Sequence, residues 1–405
     1  MVERRLAAAV SGFGAEVLRN AMQDRADRAD RARPTPPGFA REGRRPIWVR
    51  SLWGDFQILR AYYSQDGGGE GDAPADRLLG IWQSYTPATA AALCRLAAQM
   101  PFEQAAELLR ATIGTQIGAR QIHRFVEEAA TLERRWTAAL EPPPEAPDTL
   151  YISFDGTGVP MRPEWLAGRA GRGEDGTAKT REMRLCCVFT QTATDEEGRA
   201  VRDPDSTTYV AALLDSALFG REVKAEALRR GLRGAGRVVV ITDGAKWCAT
   251  QAALFPQATH ILDFYHAAEH LGDLAQAILG KGKETDALFA RWRTQLKRGQ
   301  APSIVDEARG MLGQAAAPTD AEREIAYFEG NLKRLRYDQF LKEGLFIGSG
   351  VIEAGCRTAV GQRAKSSGMH WSVPGVQNVL DLRCALLSGR MDKFLKDTIE
   401  QRRAA

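Results

Sequence analysis

Residues 141–145 read Glu-Pro-Pro-Pro-Glu, and this run constrains the chain more than any other stretch. Consecutive prolines cannot continue a helix and favour a stiff, extended connection. The linker they define, 141–149, separates two patterns. Before it the apolar residues recur at helical spacing; after it come short β-branched and aromatic runs.

In the first part, Thr86-Pro87 has the cap-then-proline form of a helix start. A second helix is predicted over Phe102–Ile113, stopping at Gly114. A third begins near Ala119, with Ile122, Phe125 and Val126 spaced for one buried face. The tight turn at 114–118 suggests helix-turn-helix geometry presenting Arg120, Gln121 and Arg124 to a DNA groove, with a plain helical bundle as the alternative. Ahead of these helices, residues 24–32 repeat Asp-Arg-Ala three times, an exposed helix or loose arm with no apolar face to bury. A hairpin is expected from the runs 47–52 and 56–63 around Gly54-Asp55, followed by a flexible loop at Gly67-Gly68-Gly69.

Beyond the linker, strand runs fall at 151–154, 185–189, 207–213, 238–241 and 260–262, with helices near 219–230 and 243–255. Residues 267–342 read as helical, and Gly348-Ser349-Gly350 introduces a further helix carrying Glu353. The fold class is therefore α/β: an RNase H-like mixed five-stranded sheet with a helical insertion, preceded by a mostly helical N-terminal region. The expected divisions are a basic arm and hairpin (1–85), a helix-turn-helix-like domain (86–140), the linker (141–149), the first part of a catalytic core (150–266), the insertion (267–342), and a final catalytic helix with a basic tail (343–405). At 405 residues, more than one core is expected.

Charge and cysteine usage narrow the class. The net charge of +4 is mild, but arginines crowd the segment from Arg4 to Arg50, and Lys393, Lys396, Arg402 and Arg403 end the chain. No apolar run approaches the roughly 20 residues that span a bilayer, and no apolar signal core follows Met1, so a cytoplasmic protein without membrane contact is expected. The six cysteines form no C-x-x-C pair, which argues against a zinc ribbon or a secreted disulfide framework.

Phe154-Asp155-Gly156 and Thr242-Asp243-Gly244 each place an aspartate at the end of an apolar strand, with a glycine that would let a ligand approach the backbone. The first and fourth strands can lie side by side, bringing Asp155 and Asp243 together, and the later helix can lay Glu353 beside them. Three clustered carboxylates repel unless cations are present, and magnesium, with manganese as a substitute, suits such an oxygen-rich set.

Five segments carry a resemblance: 155–161 (Asp-Gly-Thr-Gly-Val-Pro-Met), 179–182 (Lys-Thr-Arg-Glu), 243–247 (Asp-Gly-Ala-Lys-Trp), 263–266 (Asp-Phe-Tyr-His) and 348–354 (Gly-Ser-Gly-Val-Ile-Glu-Ala). In this order they resemble the Kra-type bacterial insertion-sequence transposases, of the DDE class. The resemblance covers 151–394 and extends weakly to Tyr62-Tyr63. It implies Asp155, Asp243 and Glu353 as catalytic and metal-holding residues, with Asp263 and His266 as auxiliary active-site residues. It also implies two-metal cleavage and joining of DNA at the element's terminal inverted repeats and at target DNA, and a homo-oligomer on DNA. Relatives commonly carry paired cysteines after the tyrosines; none stands between Ser64 and Glu70, and no zinc is expected.

Near the acidic residues, Lys179, Arg181, Arg184, Arg357, Arg363 and Lys365 are candidates for phosphate contacts, and Trp371 for stacking on a splayed base. Two rival readings remain. His266-Ala267-Ala268-Glu269-His270 matches the H-x-x-E-H signature of zinc peptidases, with Glu343 available as a third ligand. A domesticated DNA-binding protein that no longer transposes is the other.

Overall fold

A computed structural model describes residues 2–32, 35, 37–65, 71–113, 115–169, 171, 177–312 and 319–404. The expected loop at Gly67-Gly68-Gly69 lies outside the described residues. The chain forms two compact units, 1–139 together with 374–405, and 140–373. The first division falls at the proline linker. Residues 374–405 group with the N-terminal unit rather than with the helix that carries Glu353.

The first unit opens with α1 (Val2–Ala32), followed by an antiparallel hairpin of β1 (Phe39–Ser51) and β2 (Gly54–Gln65), closed at Ser51 opposite Gly54. The Asp-Arg-Ala repeat proves to have an apolar face after all. A three-residue period drifts only slowly around a 3.6-residue helix, so Ala26 and Ala29 stay on one side with Met22, packed in a core with Val49, Phe56 and Ile58 of the hairpin. Asp30 accepts the amide of Ala61 at 2.8 Å, fixing that contact. After α2 (Pro74–Leu78) come α3 (Pro87–Gln99), α4 (Phe102–Ile113) and α5 (Ala119–Ala138). Thr86 caps α3 by accepting the amide of Thr89. α5 buries Ile122, Phe125 and Val126, as their spacing predicts.

The second unit is built on a sheet. Its strands are β3 (Thr149–Pro160), β4 (Thr180–Gln191), a short ribbon of β5 (Ala193–Thr194) with β6 (Ala200–Val201), β7 (Thr208–Ala212), β8 (Arg237–Thr242) and β9 (Thr259–Leu262). The five-stranded sheet has the order β7-β4-β3-β8-β9. β4 runs antiparallel to β3 and β7, while β8 and β9 run parallel to β3. The first and fourth strand runs beyond the linker are thus neighbours. α6 (Ser216–Arg229) and α7 (Lys246–Ala252) cover one sheet face, where Leu150, Ile152 and Phe154 meet Phe219, Val223, Cys248 and Phe255. On the other face Tyr151 stacks on Phe189 at 4.8 Å, with Phe346 edge-on at 5.4 Å.

The helical segment follows as α8 (Phe264–Leu279), α9 (Lys283–Lys297), α10 (Ala301–Leu312), α11 (Thr319–Asn331) and α12 (Tyr337–Lys342). It packs around its own buried residues, among them Leu271, Trp292, Ile304 and Phe328. α13 (Gly350–Gly355) then continues through a π-helical stretch, Cys356–Gly361, into α14 (Gln362–Ala364). Finally α15 (Val373–Leu387) and α16 (Met391–Ala404) return to the first unit. There Trp136 donates to Asp397 at 2.9 Å, and Arg383 donates to the carbonyl of Ala98 at 2.9 Å.

Candidate active site

Register alone aligns three aspartates. β3 and β8 pair in parallel from Thr149↔Arg237 to Ser153↔Ile241, and two residues further along each lie Asp155 and Asp243. β8 and β9 pair up to Thr242↔Leu262, so the next residues are Asp243 and Asp263. Adjacent strands stand about 4.8 Å apart. The three aspartates therefore stand at one level of the sheet, where β8 and β9 end and β3 runs on.

Asp155 is not at the end of its strand, as its sequence context suggests. β3 continues to Pro160, paired with β4 throughout; what ends at this level is its neighbour β8. Beside Asp155, a β-carbon at Gly156 would lie 2.5 Å from Oε1 of the Glu182 side chain on β4. Gly244, at φ +86°, supplies the left-handed turn that follows Asp243. The Asp155 carboxylate accepts the amide of Gly156 at 2.6 Å, and that of Asp243 accepts the amide of Ala245 at 3.0 Å. Burial above all, and then the charge of Asp243, push the Asp155 carboxyl above its usual range, against the opposing pull of the Gly156 amide, the Cys356 thiol and His266.

Glu353 arrives on α13, which packs against β3 and β4. Its Oε1 lies 2.8 Å from the Ser349 hydroxyl. One turn on, the Cys356 thiol reaches Oδ2 of Asp155 at 3.5 Å, so this helix face is pinned to the carboxylate edge. Asp263 is fully buried; one oxygen accepts the amide of His266 at 2.7 Å and the other that of Ser349. Asp263, His266 and Glu353 offer ligand atoms within 4.8 Å of one another, the one such group among the described residues. Asp155 and Asp243 stand outside this tightest group, although the charges of Asp243 and His266 both act on Asp155. The donors that converge are thus two carboxylates and one imidazole, those of Asp263, Glu353 and His266.

The H-x-x-E-H pattern does not converge on an ion. His270 turns to Glu324, with Nδ1 at 2.6 Å from its carboxylate, and stacks on Tyr327 at 3.8 Å. His266 pairs with Glu269 at 3.3 Å, while Glu343 is engaged by Arg237 at 3.1 Å. His270 and Glu343 are thus engaged elsewhere, while His266 stays beside Asp263 and Glu353.

The basic candidates divide. Lys179 and Arg357 are exposed, and Arg181, opposite Val159 on β3, shares the sheet face of Asp155. Lys365 donates to Thr157, two residues beyond Asp155 on that same face. Two other arginines, and Trp371 with them, are engaged within the fold. Arg184 alternates to the opposite face, where it stacks over Trp247 at 5.1 Å and donates to the Leu214 carbonyl at 2.6 Å. Arg363 is only 1% exposed and stacks on Trp371 at 5.2 Å. Trp371, whose indole donates to the Ala364 carbonyl at 2.9 Å, is held against β3 by a bridge to Met161. In the first unit Arg120 and Arg124 are exposed on α5, but the Gln121 side chain accepts the Gly118 amide at 2.9 Å and closes its own helix start.

Sequence reasoning passed over Arg334. It follows α11, donates to the Thr242 hydroxyl at 2.5 Å and faces the charge of Asp243. Burial pulls its pKa down, opposed by Tyr327, Tyr337, Cys248 and Asp243. Nothing in Lys333-Arg334-Leu335-Arg336 distinguishes this arginine from its solvated neighbours.

No protein-family model matches the chain, and no curated protein matches it. Among solved structures, the Drosophila P element transposase strand transfer complex aligns over 76% of this chain and 79% of that one, at 10% identity with a TM-score of 0.26. A similarity of that size carries no functional inference.

Proposed function

We propose that this protein is a DNA transposase of the DDE class that cuts phosphodiester bonds at the ends of a mobile element and joins them to target DNA. The observation that carries the reading is the shared level of Asp155 and Asp243 at the open edge of a sheet of order β7-β4-β3-β8-β9, an RNase H-like arrangement, with Glu353 brought alongside by α13. The sequence resemblance to Kra-type insertion-sequence transposases supports the same assignment. Asp155, Asp243 and Glu353 would hold magnesium or manganese, which supplies Lewis-acid stabilisation of charge at phosphorus and a lowered pKa for attacking water.

The chain's own groups set the geometry around that chemistry. Asp263 fixes the loop that presents Glu353. His266, on the first turn of α8, orients the site or a phosphate oxygen. Arg181, Lys179, Arg357 and Lys365 line the approach with positive charge that holds phosphate without reading bases. Arg120 and Arg124, on the α4–turn–α5 pair, would grip the terminal repeats in helix-turn-helix fashion, with a salt-sensitive affinity. Two copies working together on paired ends would complete the reaction.

The test is cleavage of labelled terminal DNA by the full chain with magnesium or manganese. Asp243→Asn should abolish cutting while leaving the melting temperature and DNA affinity near wild type. Specific end binding by the wild type without cutting in either metal would favour the domesticated binding protein.

A further inference from the structure

A cavity of about 670 Å³ opens between the start of α8, α9 and the loop before α13. Phe264 and Ile347 contribute to its lining: Phe264 follows Asp263 directly, and Ile347 stands two residues before Ser349, whose amide Asp263 accepts. The two are joined by the Phe264 amide donating to the Ile347 carbonyl at 2.9 Å. The opposite wall is cationic. Arg293 and Lys297 lie one helical turn apart on α9 and Arg298 follows, all three exposed, and none has a carboxylate partner among the described residues. No acid lines the cavity.

One aromatic ring is presented to solvent here. Tyr265 is 58% exposed, and its ring lies over Gly348, 2.9 Å from where a β-carbon there would stand. An exposed flat ring, an apolar floor and three cations, of which Arg293 also lies over the Phe264 ring at 5.8 Å, match a heteroaromatic base with its phosphate. The volume falls within the range of small-molecule pockets. An acidic peptide would use the cations and leave the ring and floor idle.

We propose that this cavity receives one unstacked nucleotide of a single strand next to the cleavage site, its base on Tyr265 and its phosphate on Arg293, Lys297 and Arg298. The proposal rests on the DNA-cleaving reading and deepens it. A paired base is stacked inside its duplex and cannot enter, so the cavity selects DNA with an unpaired strand at its end. Base–aromatic stacking is sequence-tolerant and is worth about fivefold to a hundredfold in affinity per base.

The experiment compares binding of the full chain to a fluorescent blunt duplex and to the same duplex with a short single-stranded extension. Wild type should prefer the extended duplex by at least about fivefold. Tyr265→Ala should erase the preference and Tyr265→Trp should keep it. The combined Arg293→Ala, Lys297→Ala, Arg298→Ala variant should lower the salt slope of single-strand binding by up to about two. Equal binding of both duplexes by the wild type, or a preference that survives Tyr265→Ala, overturns the cavity's role; if magnesium-dependent cleavage persists in that case, the transposase reading stands. Absence of any DNA binding overturns both.

Discussion

The carboxylate of Asp263 takes the backbone amide of Ser349 across 86 residues of sequence, joining the first turn of α8 to the loop that presents Glu353. Its other oxygen holds the His266 amide at 2.7 Å. Asp263→Ala would leave two amides without their acceptor at a fully buried position, a cost of about 2–4 kcal/mol on the usual scale for unsatisfied buried groups. Urea denaturation should show that loss, whereas Asp243→Asn should change stability by less than about 1 kcal/mol. An Asp263→Ala protein as stable as wild type but inactive would make Asp263 a direct ligand rather than a positioning residue.

Arg334 should matter for turnover more than for DNA affinity, because it faces Thr242 and Asp243 rather than an open surface. Arg334→Met is expected to lower kcat by about ten- to a hundredfold with little change in KM, a loss of roughly 1.4–2.7 kcal/mol in the transition state. Thr242→Val removes the acceptor, and combining the two should cost little beyond Arg334→Met alone. Additive losses in steady-state kinetics would mean that the two residues act separately.

Metal should stabilise the folded protein by mass action, by about 2.7 kcal/mol when its concentration is a hundredfold above the dissociation constant. Manganese is therefore expected to raise the melting temperature of the wild type, and Asp155→Asn or Glu353→Gln should blunt the rise. Stoichiometric zinc that is lost on His270→Ala would contradict the pairing of His270 with Glu324.

Glu133 of α5 is buried, with its carboxylate accepting the Thr137 hydroxyl at 2.6 Å. Burial first of all, with help from Asp381, raises its pKa from 4.5 to about 7, against Thr137, Arg390 and Arg134. A carboxyl with a raised folded-state pKa favours folding when protonated. Its contribution is complete below pH 4.5 and is lost as pH rises through about 7. Glu133→Gln should stabilise the protein at pH 8 by up to about 3 kcal/mol and flatten stability between pH 5 and 7, as thermal melts across that range will record. A variant no more stable than wild type at pH 8 would show that the ionised carboxylate is well solvated or paired.

What could be read from sequence is what local pattern encodes. The β-branched run before Asp243 announces a strand that ends there, and Thr86-Pro87 announces a capped helix. Side-chain partners distant in sequence were not legible. Arg363 looks solvated until the ring of Trp371 is placed on it, and Arg334 looks ordinary until α11 sets it beside Thr242. Strand alternation could have removed Arg184 from the site, since it is one residue out of phase with Leu185, the partner of Asp155. The alanines of the Asp-Arg-Ala repeat were underrated because a small side chain buries well only where a neighbour comes close, and the hairpin does.

The order of synthesis gives the interrupted first unit a further meaning. Chains leave the ribosome amino end first, and domains fold as their residues emerge. The sheet-bearing unit, contiguous over 140–373, can close once Val373 has emerged, whereas the unit begun by α1 must wait for 374–405 to supply α15 and α16. Each newly made molecule can therefore complete its acidic edge before its α5 surface, and a ribosome stalled within α15 or α16 would hold a finished sheet attached to an unfinished partner.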